Sequence, residues 1–235
     1  MHIIKEYAYN GCFLKCIIEM QFKNILATSA SVCAILQFST GLLTARKIIH
    51  NKSTGDISAF PFVSGLLSTS LWLKYGFLID DNSLIAVNTI GAIIFFSCVA
   101  VFFIYSIKKS NIARQFLISL LVLIIILMRI HRIDNVDESR QTLGFISSGV
   151  TILFFASPFA SLYHVIKVKN TESLPFYLIA STFIVSLQWL VYGILLEDTF
   201  IQIPNFIGSL LSLIQLGLFI IYPSKNQKNY SNSII

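Results

Sequence analysis

The chain has 235 residues, of which 55% are apolar and 12% charged, with a net charge of +6. That balance leaves too little polar surface to face water and excludes an ordinary soluble domain. The basic residues sit in short clusters between apolar blocks, where they act as topology signals, and this excludes nucleic acid as the partner of the excess charge.

The first 22 residues lack the order of a signal peptide, because Lys5, Glu6, Lys15 and Glu19 interrupt the apolar stretch. They read as a poorly ordered lead-in. Seven apolar blocks follow, over about 24–45, 60–79, 84–107, 112–130, 143–166, 176–196 and 199–222, each close to the roughly 20 residues a helix needs to cross hydrocarbon. The fourth is the weakest, since its dense core from Phe116 to Met128 needs its flanks, or a thinned bilayer, to span. The four cysteines, Cys12, Cys16, Cys33 and Cys98, show no metal-ligand spacing, and no metal or cofactor is expected.

Charge gives the blocks a direction. Arg46, Lys47 and Lys52 lie between blocks one and two, Lys108, Lys109 and Arg114 between three and four, Lys167 and Lys169 between five and six, and Lys225 and Lys228 in the tail, against only Asp56 and Glu172. The short loops on the other side carry Asp80 with Asp81 and Glu197 with Asp198, and no base. The positive-inside rule therefore predicts the amino terminus outside and the carboxyl terminus in the cytosol. Asn51-Lys52-Ser53 matches a glycosylation sequon, but this topology puts it on the cytosolic face, where glycan transfer does not occur.

Displacing the sequence on itself by 117 residues superposes Trp72 on Trp189, Tyr75 on Tyr192, Gly76 on Gly193, Asp81 on Asp198, Asn88 on Asn205, Gly91 on Gly208 and Tyr105 on Tyr222. Pro61 and Pro175 align only at a displacement of 114, so the copies differ by a local length change. Blocks one to three thus repeat as five to seven. Three is an odd number, so the fourth block must reverse the chain for the copies to lie parallel about an axis along the membrane normal, an arrangement that encloses a path through the bilayer. The expected fold is an all-α membrane protein of seven transmembrane helices, two parallel three-helix repeats joined by a linker helix (3+1+3). Its divisions are a lead-in at 1–23, the first repeat at 24–107, the linker helix with an outer loop at 108–142, the second repeat at 143–222 and a cytosolic tail at 223–235.

The strings Lys52-Ser53-Thr54, Phe60-Pro61-Phe62, Trp72-Leu73-Lys74-Tyr75-Gly76, Ala156-Ser157-Pro158, Leu174-Pro175-Phe176, Trp189-Leu190-Val191-Tyr192-Gly193 and Pro204-Asn205 resemble the SWEET sugar transporters of the PQ-loop superfamily, in their animal, insect branch. The resemblance runs from about residue 30 to residue 223. It implies a central sugar pocket at Trp72, Asn88, Trp189 and Asn205. Their spacing from the block ends also puts these four at one depth, roughly 10 Å below the outer surface. An Asn amide offers donors and an acceptor to sugar hydroxyls, and a Trp face stacks on the C–H face of a pyranose. Taken singly, an interfacial Trp anchor or an Asn linking two helices explains each residue as well; the matched pairs favour a site.

The resemblance further implies an outer gate of Tyr75 and Asp198, for which an ordinary interfacial role is the alternative. Lys74 is expected to extend its ammonium toward the surface. Ser68 and Leu153 are implied as selectors of sugar size, with packing the competing role. Pro61, Pro158 and Pro175 resemble three of four inward-side prolines that kink helices and serve as hinges, the fourth position being Gly41, which keeps its backbone donor.

Mid-membrane ionisable residues are missing, which disfavours proton or ion coupling. The expectation is therefore a passive, bidirectional uniporter for mono- or disaccharides, a hexose such as glucose first, working by alternating access. It belongs in the plasma membrane, with the Golgi membrane as alternative, among lipids, and homo-oligomers are compatible with it but not required. A seven-span receptor or scaffold and a proton-coupled PQ-loop amino-acid transporter are the competing readings. With no Walker loop, nucleophile motif or paired intramembrane carboxylates, an enzyme is not expected.

Overall fold

The computed structural model describes residues 2–222, with side chains from Ile17 onward apart from Ala156 and Ser157. Its helices are α1 (His2–Asn51), α2 (Phe60–Leu78), α3 (Asn82–Tyr105), α4 (Lys109–His131), α5 (Val136–Phe154), α6 (Ala156–Val168), α7 (Phe176–Leu195) and α8 (Thr199–Ile221). There is no strand among the described residues. Much of the expected lead-in, Cys12, Cys16 and the tail with Lys225 and Lys228 lie outside the described side chains.

Among the described residues six spans are long and apolar enough to cross a membrane: Ile17–Asn51, Asn82–Tyr105, Lys109–His131, Val136–Val168, Phe176–Leu195 and Thr199–Ile221. The seventh crossing is α2, whose run from Ser68 to Ser70 and whose Lys74 dilute its apolar character. It packs against α3, α4 and α5, so protein rather than lipid surrounds these polar groups. Side chains such as Ile93, Phe96, Leu121, Ile125, Leu213 and Ile220 form the exposed apolar belt expected of a surface facing hydrocarbon. The fourth span is a full 23-residue helix, about 34 Å long, because its flanks continue the helix beyond the dense apolar core.

The repeat is visible at atomic detail. Lys52 and Lys169 at one end, and Asp80 and Glu197 at the other, hold left-handed backbone with φ of 51°, 55°, 54° and 55°. These are the turns that stop each first and second helix, and they fall in pairs 117 residues apart. Asp81 then caps α3 by accepting from the Leu84 N–H at 2.8 Å, and Asp198 caps α8 by accepting from Phe200 and Ile201 at 3.0 and 3.3 Å. At two close helix crossings, a Cβ on Gly91 would meet Phe38 and Thr69 at 2.8 and 2.9 Å, and one on Gly208 would meet Ser186 and Phe155 at 2.8 and 2.9 Å. The same three positions thus interlock in both units.

The units differ where Gly41 corresponds to Pro158. Proline cannot donate to the carbonyl four residues back, here that of Phe154, and α5 ends at that residue. The chain re-forms as α6, so the span expected at 143–166 is a bent pair running from Val136 to Val168. Gly41 keeps its donor and α1 continues through it unbroken. The expectation that Pro61 and Pro175 kink helices is corrected: Pro61 sits in the first turn of α2 and Pro175 is the N-cap of α7, places where a missing N–H disrupts no helical bond. Pro204, by contrast, lies inside α8.

Packing is uneven along the membrane normal. Toward the Asp81 and Asp198 end, one core draws on both units, joining Ala27, Ala30 and Ala34 of α1, Leu71 and Tyr75 of α2, and Leu143, Trp189, Tyr192 and Ile201 of the second unit. Toward the other end the units keep separate cores, Ile48, Ala59 and Phe102 with Ile112 of α4 in one, and Val165, Leu174, Ile179 and Leu218 in the other. A groove of about 610 Å³ lies there between α1 and α7.

Candidate functional site

Between the units lies a cavity of about 300 Å³ to which both contribute. Trp72 and Ser68 come from α2, Asn88 from α3, Trp189 from α7 and Asn205 from α8. Five of the six residues expected at a substrate site therefore line one space. Leu153 does not: it is 73% exposed on the outer surface, and Thr151 and Phe154 of α5 face the cavity instead. One residue along a helix turns a side chain by about 100°, enough to move it from cavity to lipid. Phe38, Thr69, Val185 and Pro204 complete much of the wall. No ionisable side chain is among the lining residues.

Each Asn is anchored to its own helix. The Asn88 amide donates to the Leu84 carbonyl at 2.9 Å and the Asn205 amide to that of Ile201 at 2.8 Å, which leaves Oδ1 and the second N–H for a ligand. Each Trp is braced edge-on by a tyrosine one turn away, Trp72 by Tyr75 with centroids 5.5 Å apart and Trp189 by Tyr192 at 5.6 Å. The indoles differ in one bond. Trp72 Nε1 donates to Thr151 Oγ1 at 3.0 Å, and Thr151 in turn donates to the Ser147 carbonyl at 3.0 Å. At the position equivalent to Thr151 the first unit has Ala34, and Trp189 Nε1 has no protein partner among the described residues.

One end of the cavity is sealed by two crossed hydrogen bonds. Tyr75 donates to Asp198 at 2.6 Å, and Tyr192 donates to Asp81 at 2.5 Å. Both bonds run from one unit to the other, and displacement by 117 residues exchanges them. Each aspartate uses Oδ1 to cap its helix and Oδ2 to receive the phenol, so the residue that starts a helix also closes the mouth. The second bond escaped the sequence reading, although the repeat contains both of its residues. Also missed was Arg140 of α5, whose guanidinium donates to the same Asp198 oxygen at 2.9 Å. Of the remaining expected positions, Lys74 is half-buried with no ion pair among the described residues, and Gly41, Pro61, Pro158 and Pro175 all lie away from the cavity lining.

Two parallel three-helix units with a shared cavity at their interface, closed at one end by bonds between the units, define a membrane transporter built from repeats. The sequence matches the family described as "Sugar efflux transporter for intercellular exchange" over residues 24–110 and 141–227. It is 44% identical over 213 residues to the sugar transporter SWEET1 of Drosophila pseudoobscura pseudoobscura, covering 90% of this chain and 94% of that one. It is 32% identical to the sugar transporter SWEET1 of Mus musculus, over 88% of this chain and 94% of the relative, and 30% identical to the bidirectional sugar transporter SWEET2 of Arabidopsis thaliana, over 92% and 91%. The solved structure of a eukaryotic SWEET transporter superposes with a TM-score of 0.77 at 27% identity, covering 86% of this chain and 98% of the other. This chain belongs to the SWEET family. It is a multi-pass integral membrane protein and a transporter, not an enzyme.

Proposed function

We propose that the protein is a passive, bidirectional uniporter for small sugars, with a hexose such as glucose as its first substrate. The observation that carries this is the cavity itself: two indole faces and two anchored amides, with no ionisable side chain in the lining. Neutral donors and acceptors beside aromatic faces suit a polyol, and a wall without a titratable group has nothing to couple a proton to the cargo. At about 300 Å³ the space lies at the lower end of the range for small-molecule sites, roughly 300–1,000 Å³, which favours a monosaccharide over a disaccharide.

The mechanism follows from the uneven packing. With a core shared at the gate end and separate cores, bridged by the Gln37–Thr182 hydrogen bond, toward the other, the conformation is closed at the Tyr75–Asp198 and Tyr192–Asp81 bonds. Rocking the units about the cavity exchanges which end is joined. The break at Pro158 supplies a bending point in one wall, with Gly41 as the looser counterpart in the other. Charge in the loops orients the gate end outward and the carboxyl terminus toward the cytosol, so this conformation faces inward. The plasma membrane is the proposed location and the Golgi membrane its alternative.

Uptake of radiolabelled glucose, fructose, galactose and sucrose into proteoliposomes tests the reading. Glucose flux that is saturable, insensitive to a pH gradient and reduced more than about tenfold in Trp72→Ala and Asn205→Ala supports it; a loss of 1.4 kcal/mol of binding corresponds to that factor. Wild-type flux in both variants, at normal expression, sinks the site. Absence of any sugar flux sinks the substrate class.

A further inference from the structure

The two gate bonds are equivalent by the repeat, but their surroundings are not. Asp198 is 2% exposed and accepts from four donors: the Phe200 and Ile201 amides on Oδ1, and the Tyr75 hydroxyl and Arg140 guanidinium on Oδ2. Asp81 is 8% exposed and accepts from two, the Leu84 amide and the Tyr192 hydroxyl, with no cation against it among the described residues. Residue 140 falls on residue 23 under the displacement that relates the units, and Lys23 makes no ion pair among the described residues. The register of this equivalence is sound at neighbouring positions, since Leu26, Ala27 and Ala30 of α1 fall on Leu143, Gly144 and Ser147 of α5, and Ala30 and Ser147 are both fully buried.

The geometry points to Arg140 as a one-sided latch: a positioning residue that acts through Asp198 to hold the Tyr75 half of the gate shut while the Tyr192 half closes without a counter-charge. A carboxylate buried in the closed mouth loses hydration, and the guanidinium of Arg140, in the same unit as Asp198, offsets that loss while leaving Oδ2 placed to receive the Tyr75 hydroxyl from the other unit. When the mouth opens, water solvates Asp198 and the pairing matters less. Arg140 therefore stabilises the closed mouth more than the open one, and shifts the resting population toward the conformation seen here. Its side chain is 40% exposed, so the pair is partly screened and its effect on the population is about three- to tenfold rather than larger. Gate opening is then unequal, with Tyr192–Asp81 the weaker bond and Tyr75–Asp198 the one that sets the barrier.

This inference deepens the alternating-access reading, and its test needs no sugar. Ser147 is fully buried on α5 between Arg140 and Thr151, and its hydroxyl has no partner among the described residues, so Ser147→Cys removes no side-chain bond. In a protein whose native cysteines are replaced, a membrane-impermeant thiol reagent added on the gate side of proteoliposomes reads how often the mouth opens. Arg140→Gln is expected to raise the labelling rate about three- to tenfold, Arg140→Lys less, and Lys23→Gln not at all. Raising ionic strength from about 0.05 to 0.5 M should speed labelling of the Ser147→Cys protein bearing Arg140 and leave its Arg140→Gln version unmoved. A purely structural arginine would lower the melting temperature without this salt signature. Labelling unchanged or slowed in Arg140→Gln, or indifferent to salt when Arg140 is present, overturns the latch. Sugar flux measured in parallel separates the two claims, since a latch can respond in a carrier that moves no glucose, and glucose can move without a latch.

Discussion

The two three-helix units follow one plan near the gate and depart from it along the helices that open each unit. Near the gate, the Trp–Tyr pairs, the helix-capping aspartates, the anchored Asn amides and the Gly91 and Gly208 crossings are matched almost bond for bond. Along α1 and α5–α6, Gly41 corresponds to Pro158, Ala34 to Thr151 and Lys23 to Arg140. A pathway between two walls requires matched groups at the level where the ligand is held, whereas the balance between conformations is set by whatever makes one wall stiffer, or one latch stronger, than the other. Symmetry thus marks the site, and its violations mark the control of state.

The largest effect should come from forcing the break of the second unit onto the first. Gly41→Pro removes a helical bond inside continuous α1 and should cost roughly 3 kcal/mol or more, read as a lowered thermal midpoint in detergent. Pro158→Ala restores a donor in the bent span and should be far milder, and an equal penalty in both would show that the bend is not proline's doing. Next come the gate carboxylates: Asp198→Ala removes a cap and the acceptor of two further donors and should destabilise by about 3 kcal/mol, Asp81→Ala by about 2. Equal midpoints for the two would break the claimed inequality of the mouth.

A Cβ at either tight crossing must displace an aromatic ring, so Gly91→Ala and Gly208→Ala should each cost about 1–3 kcal/mol and by similar amounts. A large difference between their unfolding midpoints would mean that the units are less alike in packing than in sequence. The smallest effect belongs to Thr151→Ala, which frees the Trp72 indole N–H and should weaken stability by about 1 kcal/mol. The informative readout there is glucose affinity in proteoliposomes: Trp189→Phe, which removes a donor the protein does not use, should weaken it more than Thr151→Ala does.

Much of this could be read from the residues. The 117-residue displacement identified the layer of Trp72, Asn88, Trp189 and Asn205, because depth along a regular helix is a matter of counting. Leu153 was implied by the resemblance rather than by counting, and the structure turns it outward, since a match in position says nothing about rotation next to the break after Phe154. The resemblance also implied kinks at Pro61 and Pro175, whose effect depends on where a helix begins, and local sequence leaves that open by a residue or two. Tyr192 and Asp81 could have been paired from the repeat alone, by requiring that a gate bond on one side have its image on the other.

Arg140 is different in kind. In the sequence it lies amid Asp134, Asp137 and Glu138, any of which is a plausible local partner, and nothing within the segment directs it to a carboxylate 58 positions away. Chain-local physics, apolar length, loop charge, caps and an internal repeat, settled the number of spans, their parallel arrangement and the level of the cavity. Which face of α5 meets it, which carboxylate each tyrosine reaches and on which side a guanidinium joins them depend on how rigid helices rotate and cross, and those are properties of the assembled bundle.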